Sequence, residues 1–276
     1  MVLPATLFIL VFGILPVFYS LWLSFYDIGL ASRTYIGFQN YVKLIQEPDL
    51  WDSIRVTSKF VVVFIFGEVV VSYVIALGLD RLNKTFAGIM LVAYRVPGLV
   101  AGIATIAVWR WIFQTHKGGL NLLLGRLHIP PVSWFGNVTT APWACAFIIF
   151  TTLLTGHVLL YMAAMHQVNP EIIEASRLDG ANELQIIWHI ITPLTQPMRL
   201  YILLGSFISA LQVWETPFFF TGGGPLGAST TVMYKIYQEG FLGGEMGIGL
   251  AMSVVMALFT VSLSIFFMKK LKVHLV

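Results

Sequence analysis

The sequence reads as an all-α polytopic membrane protein. Of its 276 residues, 58% are hydrophobic and only 11% charged, and the mean hydropathy is +0.84. Soluble domains carry about 25% charged residues, so a water-soluble chain of this size would lack the charge to cover its surface. The apolar residues gather into six stretches without two-residue alternation, each near the ~20 residues that a helix needs to cross ~30 Å of hydrocarbon. Backbone groups in lipid must satisfy their own hydrogen bonds, so such runs are helices and not barrel strands.

The stretches run from about Val2 to Phe25, Val56 to Leu79, Phe86 to Phe113, Trp143 to Met165, Leu200 to Phe220 and Ile248 to Met268. Together they make one transmembrane domain over residues 1–276. The first is no secretory signal: it has no basic flank, exceeds the length of such a core, and is interrupted by Pro4 and Pro16. The single cysteine, Cys145, lies within an apolar run, so it reads as a small buried or lipid-facing residue, and no disulfide framework exists. A net charge of +3 without a Lys/Arg block excludes a nucleic-acid partner.

Six spans place both termini on one side. That side carries Arg81, Lys84, Arg177, Arg199, Lys269, Lys270 and Lys272, and the weight of short loops and span ends favours it as the cytoplasmic face. On the other side, the loops Tyr26–Trp51 and Lys117–Pro142 are rich in aromatic and turn residues and read as interfacial caps. Thr221-Gly222-Gly223-Gly224-Pro225 ends the fifth stretch, because consecutive glycines and a proline cannot continue a helix.

The segment Asn169–Arg199 is the one long polar island. Asn169 is a favourable N-cap, Pro170 suits the first helical position, and Glu171 and Glu174 complement the positive helix end. A short helix is therefore expected over Pro170–Leu178, closed by Asp179-Gly180. Asn182 caps a second helix whose Leu184, Ile187, Trp188 and Ile191 form an apolar stripe. Small Ala175, Ser176 and Ala181 allow another surface to approach closely.

Glu174-Ala175-Ser176, Asp179-Gly180-Ala181, Ile191 and Pro193 stand in the order of the cytoplasmic loop motif of ABC importer permeases, which the chain resembles. Ser176, Trp188 and Thr192 depart from the usual residues of that pattern. The segments Ile36–Tyr41, Gly118–Leu124 and Thr221–Phe241 resemble the carbohydrate-uptake permeases of the maltose and glycerol-phosphate type. The resemblance implies a type I ABC importer permease fold with a coupling loop at about 166–199, multi-pass in a prokaryotic inner membrane, with both termini cytoplasmic. It further implies a second permease subunit, an ABC ATPase dimer that binds ATP and Mg in place of this chain, an extracytoplasmic solute-binding protein, and a carbohydrate as cargo. In that scheme Glu174, Ala175, Ser176, Asp179, Gly180 and Ala181 form the contact to the ATPase. This chain carries no Gly-x-x-x-x-Gly-Lys-Ser/Thr phosphate loop of its own.

Charge in hydrocarbon is costly and usually faces the bundle interior, which makes Glu68, His157, Gln212, Trp214 and Glu215 the candidates for the cargo path. Gln212 and Glu215 share a helix face and Trp214 does not, unless the helix unwinds near Pro217. Arg110, between Trp109 and Trp111, reads as an interfacial anchor. An ion-coupled secondary transporter with Glu68 and Glu215 as proton carriers is the alternative, although the two repeated halves of that class are not visible. A membrane enzyme is disfavoured, since the 6 histidines lie on separate segments with no HExxH spacing.

Overall fold

The computed structural model describes residues 3–29, 32–99 and 103–273, with the side chains at 84, 94–99, 103–104, 152–155 and 270–273 outside that description. Helix α1, Leu3–Leu23, leads into a short hairpin of β1 (Tyr26–Ile28) and β2 (Arg33–Tyr35). Helix α2, Gln39–Gln46, follows, and then the long α3, Pro48–Asp80. The next elements are α4 (Lys84–Leu99), α5 (Ile103–Ile112), α6 (Gly119–Arg126) and α7 (Ala141–Met165). Helices α8 (Pro170–Leu178) and α9 (Glu183–Ile186) form the polar island. The chain ends with α10 (Gln196–Leu211), α11 (Val232–Tyr237) and α12 (Met246–Val273).

Among the described residues, α1, α3 and the Met246–Lys269 part of α12 are each long and apolar enough to cross a bilayer. A fourth span results if the halves Ala141–Thr151 and Gly156–Met165 of α7, bent by 49°, are taken together. The third expected stretch is divided between α4 and α5, with residues 100–102 outside the described set, as are His274 and the side chains of Lys84, Lys270 and Lys272. The fifth leaves helical geometry after Leu211. The second begins at Pro48 rather than Val56: Pro48 takes the first turn with Asp49, and Arg55 pairs with Asp52 at 2.6 Å, so a polar, capped turn extends the apolar span.

Helix α3 is the hub. Phe60 and Phe64 pack on Cys145, Ala146 and Ile149 of α7 and Ala210 of α10. Closer to its other end, Ala76 and Leu79 meet Val158, Tyr161 and Met165 of α7 and Ile202 of α10. Cys145 is thus a buried packing residue, as its apolar surroundings in the sequence require. By contrast, none of the apolar window of α1 is buried within the chain.

The loops opposite the polar island are built more firmly than interfacial caps require. Asn121 donates to the carbonyls of Thr115 and Val132 and accepts from Val132 N and Trp134 Nε1, so one side chain holds the α5–α7 connection. Lys235 on α11 is buried and reaches Glu47 at 2.7 Å and Glu239 at 3.0 Å, with Asp49 at 3.9 Å. It ties the start of α3 to the α10–α12 connection. Burial by itself would lower the ammonium pKa, but the hydrogen bonds and charges of Glu47 and Glu239 outweigh it and hold the pKa above the ordinary 10.5.

A raised folded-state pKa gives stabilisation that is complete below the unfolded value and is lost as pH rises through the folded one. Stability is therefore expected to show no lysine-linked change from pH 7 to about 10 and to fall only above that. Lys235→Met leaves two carboxylates without their partner, at about 1–3 kcal/mol. Thermal unfolding in detergent should show a lower Tm for this variant and no lysine-linked alkaline step; an unchanged Tm would remove the tie from the list of stabilising contacts.

Candidate functional site

The island assembles as local chemistry dictates. Asn169 Oδ1 accepts from Glu171 N at 3.0 Å and caps α8, with Pro170 in its first turn. At the other end Gly180 N donates to Arg177 O at 3.1 Å and Ala181 N to Ser176 O at 3.0 Å. These are the two reversed bonds of a Schellman closure, with Asp179 as C-cap and Gly180 left-handed at φ +88°. Asp179-Gly180-Ala181 is therefore a helix stop in which each residue has its own place. Asn182 then opens α9 through a reciprocal capping box with Gln185, at 2.9 and 2.8 Å. The spacing Asn182-x-x-Gln185 is legible in the sequence, and only its first half was read there.

The expected stripe on the second helix is corrected by the structure. Ile186 and Ile187 are buried, whereas Leu184 and Trp188 are 65% and 66% exposed. A π-helical turn over Ile187–Ile191 inserts an extra residue and rotates the inward face. Leu184 and Trp188, four apart, keep to the outward face.

Two halves of the island behave differently. Helix α9 and its continuation are tied to the bundle: Thr192 Oγ1 meets Tyr73 OH at 2.6 Å and Thr192 O accepts from Arg199 at 3.0 Å. Helix α8 buries no residue, and at its end Leu178 is 90% exposed. Its links to the bundle pass through Glu183, which takes Arg177 at 3.0 Å and Arg81 at 3.2 Å. Close by, His166 pairs with Asp80 at 2.7 Å. Glu174, Asp179, Gly180 and their neighbours thus sit on a short raised helix with exposed leucine and tryptophan beside it.

The intramembrane candidates separate into two groups. Glu68 lies in a π-helical turn of α3, Ile65–Val71, and faces His157 of α7 at 3.6 Å. Gln212, Trp214 and Glu215 lie where α10 breaks. The break falls at Gln212–Trp214, before Pro217, and the chain resumes in a π-helical turn over Pro217–Thr221. Thr231 Oγ1 takes up the freed Val213 carbonyl. Across the break the Trp214 ring lies 5.3 Å from Tyr237 and 5.7 Å from Phe218. Gln212 and Glu215 are exposed beside it. Arg110 is no free anchor, since it donates to Phe219 O at the end of the same break.

Residues 60–269 match the family described as binding-protein-dependent transport system inner membrane component. The chain belongs to this family. It is 27% identical over 274 residues to the probable ABC transporter permease protein YurN of Bacillus subtilis, covering 98% of this chain and 94% of that one. It is 28% identical over 271 residues to the trehalose/maltose transport system permease protein MalF of Thermococcus litoralis, covering 98% and 91%. A solved bacterial ABC transporter involved in the import of the acidic polysaccharide alginate shares the fold, with a TM-score of 0.88 at 18% identity over 99% of this chain and 93% of that one. As a member, the chain is a membrane-embedded transport permease and not an enzyme. The ion-coupled alternative has no support from these matches.

The Glu183 bridge is exposed on all three partners, so it contributes about 0–1 kcal/mol. Glu183→Gln is expected to leave the global Tm unchanged while speeding amide exchange across α8 up to about fivefold. Equal exchange in both proteins would show that other contacts fix the helix.

Proposed function

We propose that this chain is one of two permease subunits that enclose the translocation path of an ATP-driven carbohydrate importer, with six spans and both termini in the cytoplasm. In this reading α8 docks on a separate ATPase, which binds ATP and Mg and drives the switch in access. A solute-binding protein delivers the sugar to the opposite face. The observation that carries the docking role is the raised helix: α8 buries nothing in its own chain and presents Leu178 with Leu184 and Trp188 outward. Exposed apolar residues clustered on a rigid, capped element mark an interaction surface. Supporting a second subunit, α1 is a span-length helix whose apolar window is not buried by its own chain. The trehalose/maltose relative supports a carbohydrate as cargo.

The sugar path, in the same reading, is bordered by Gln212, Trp214 and Glu215. Aromatic faces pack on the apolar side of a sugar ring, and Trp214 stands in a group with Phe218, Tyr237 and Phe241, beside the amide of Gln212 and the carboxylate of Glu215. Glu68 and His157 lie on the closed wall of that path. Glu174, Ala175, Ser176, Asp179, Gly180 and Ala181 serve the ATPase contact: the acidic residues as polar contacts, the small ones as clearance, and Gly180 as the closing turn.

Space is open around Gly180, but its φ of +88° is strained for any side chain. Gly180→Val should distort the closure by about 1–2 kcal/mol and abolish sugar-stimulated ATP hydrolysis in the complete transporter, with Gly180→Asn, which tolerates the left-handed region, milder. Stimulated hydrolysis at the normal rate in the valine variant would sink the docking role. Trp214→Ala should raise the sugar concentration for half-maximal uptake, and unchanged uptake kinetics would return Trp214 to packing.

A further inference from the structure

We propose that Glu68 and His157 share one proton and act as a latch between α3 and α7, positioning the two helices in the closed state of the path; the inference rests on the permease reading above. Glu68 Oε2 and His157 Nδ1 are both inaccessible, face each other at 3.6 Å, and have no hydrogen-bond partner among the described residues. Buried polar atoms without partners are rare, and 3.6 Å leaves no room for a bridging water. With neither group carrying the proton, two sets of lone pairs oppose each other. One proton removes the conflict in either location: a carboxyl O–H donates to Nδ1, or an Nδ1–H donates to the carboxylate. An approach of a few tenths of an ångström then closes a normal hydrogen bond.

The backbone around the pair is shaped for close contact and for movement. A Cβ on Gly67 would collide with the Phe150 ring, so α3 and α7 approach as closely as glycine permits one residue before Glu68. The π-helical turn at Ile65–Val71 is a local departure of the kind found at functional sites. Among the described side chains, the other ionisable groups on the surrounding elements are engaged elsewhere or lie in the apolar core. Tyr161 donates to Val69 O, Tyr73 meets Thr192, Arg199 donates to Thr192 O, and Cys145 is in the apolar core; Ser206 of α10 faces the Glu68 carboxylate. The shared proton therefore sets how firmly the helices hold. Loss of that proton at alkaline pH leaves a full negative charge against a neutral imidazole whose one N–H is divided between Nδ1 and Nε2, and this loosens the latch.

The test uses the complete transporter in proteoliposomes, comparing basal and sugar-stimulated ATPase from pH 6 to 9 for the wild type, Glu68→Gln, His157→Asn and the double variant. The latch predicts that wild-type basal hydrolysis rises severalfold toward alkaline pH. Glu68→Gln, whose amide N–H donates to Nδ1 at every pH, should keep the low acid-side rate throughout. His157→Asn, too short to reach the carboxylate, should show the raised rate at all pH values, and the double variant should be no worse than His157→Asn. Additive effects, or single variants that keep the wild-type pH profile, would overturn it. If Glu68→Gln fails to assemble, His157→Asn with Glu68 intact decides by the same pH profile. Loss of protein yield with an unaltered ratio of stimulated to basal rate would assign the pair to stability only. Failure of the permease reading is distinguishable, because the wild type itself would then show no sugar stimulation.

Discussion

Hydrocarbon offers a released backbone carbonyl no partner, and at several departures from regular helix in this chain a side chain takes over. In the π-helical turn of α3, the Val69 carbonyl accepts from Tyr161 of α7 and the Gly67 carbonyl from Ser72. At the break in α10, Val213 O is met by Thr231 and Phe219 O by Arg110. At the turn into α10, Thr192 O is met by Arg199. An unsatisfied group in lipid costs several kcal/mol, so each takeover is a condition for the irregularity beside it. Three of these side chains, Tyr161, Thr231 and Arg110, come from a distant element, which turns a local break into a tie between helices.

The same constraint sorts the polar groups of the interior. Thr195 and Ser53 bond back to carbonyls of their own helices, and Ser206 bonds back to Ile202 while facing Glu68. Tyr73, Tyr161 and Arg199 join helices and are satisfied. Glu68 and His157 join helices and are not satisfied. The Gly67–Phe150 approach sits at the same level. Packing there is as tight as glycine allows, while the polar contact is incomplete.

Legibility in the sequence followed the range of the interaction responsible. Helix α8 was readable to the residue, because Asn169, Pro170 and Asp179-Gly180 act within a few positions of themselves. Asn182 was readable for the same reason. The inward face of the second helix was not, because a regular 3.6-residue period cannot anticipate a π-helical turn. The start of α3 at Pro48 was missed because Asp49, Asp52, Ser53 and Arg55 interrupt the apolar signal over its first eight residues. The hairpin Tyr26–Ile28 with Arg33–Tyr35 was missed as well, since its strands are too short for an alternating pattern. Arg81 and Glu183 are 102 positions apart, and only the folded bundle brings them together. At the α10 break, Pro217 pointed to unwinding, but the tie from Thr231 belonged to a segment 18 residues on.

The two ends of the molecule are fixed in contrasting ways, and the contrast bears on how force is carried. Opposite the island, Lys235 is buried among carboxylates and Asn121 spans four backbone and side-chain partners. Buried, multiply bonded ties of this kind are costly to break, since each would leave unpaired groups. Helix α8 is stiff for a different reason. Its caps and closing turn are internal, so its shape does not depend on the bundle. Its attachment is through exposed ion pairs of Glu183, worth about 0–1 kcal/mol. An element that is rigid within itself and lightly held at its base moves as a unit when a partner grips its exposed end. The proposed docking on α8 is connected to the bundle through α9 and the buried Thr192 contact to Tyr73 of α3. That route ends about one and a half helical turns along α3 from Glu68, on the helix that forms the core with both α7 and α10.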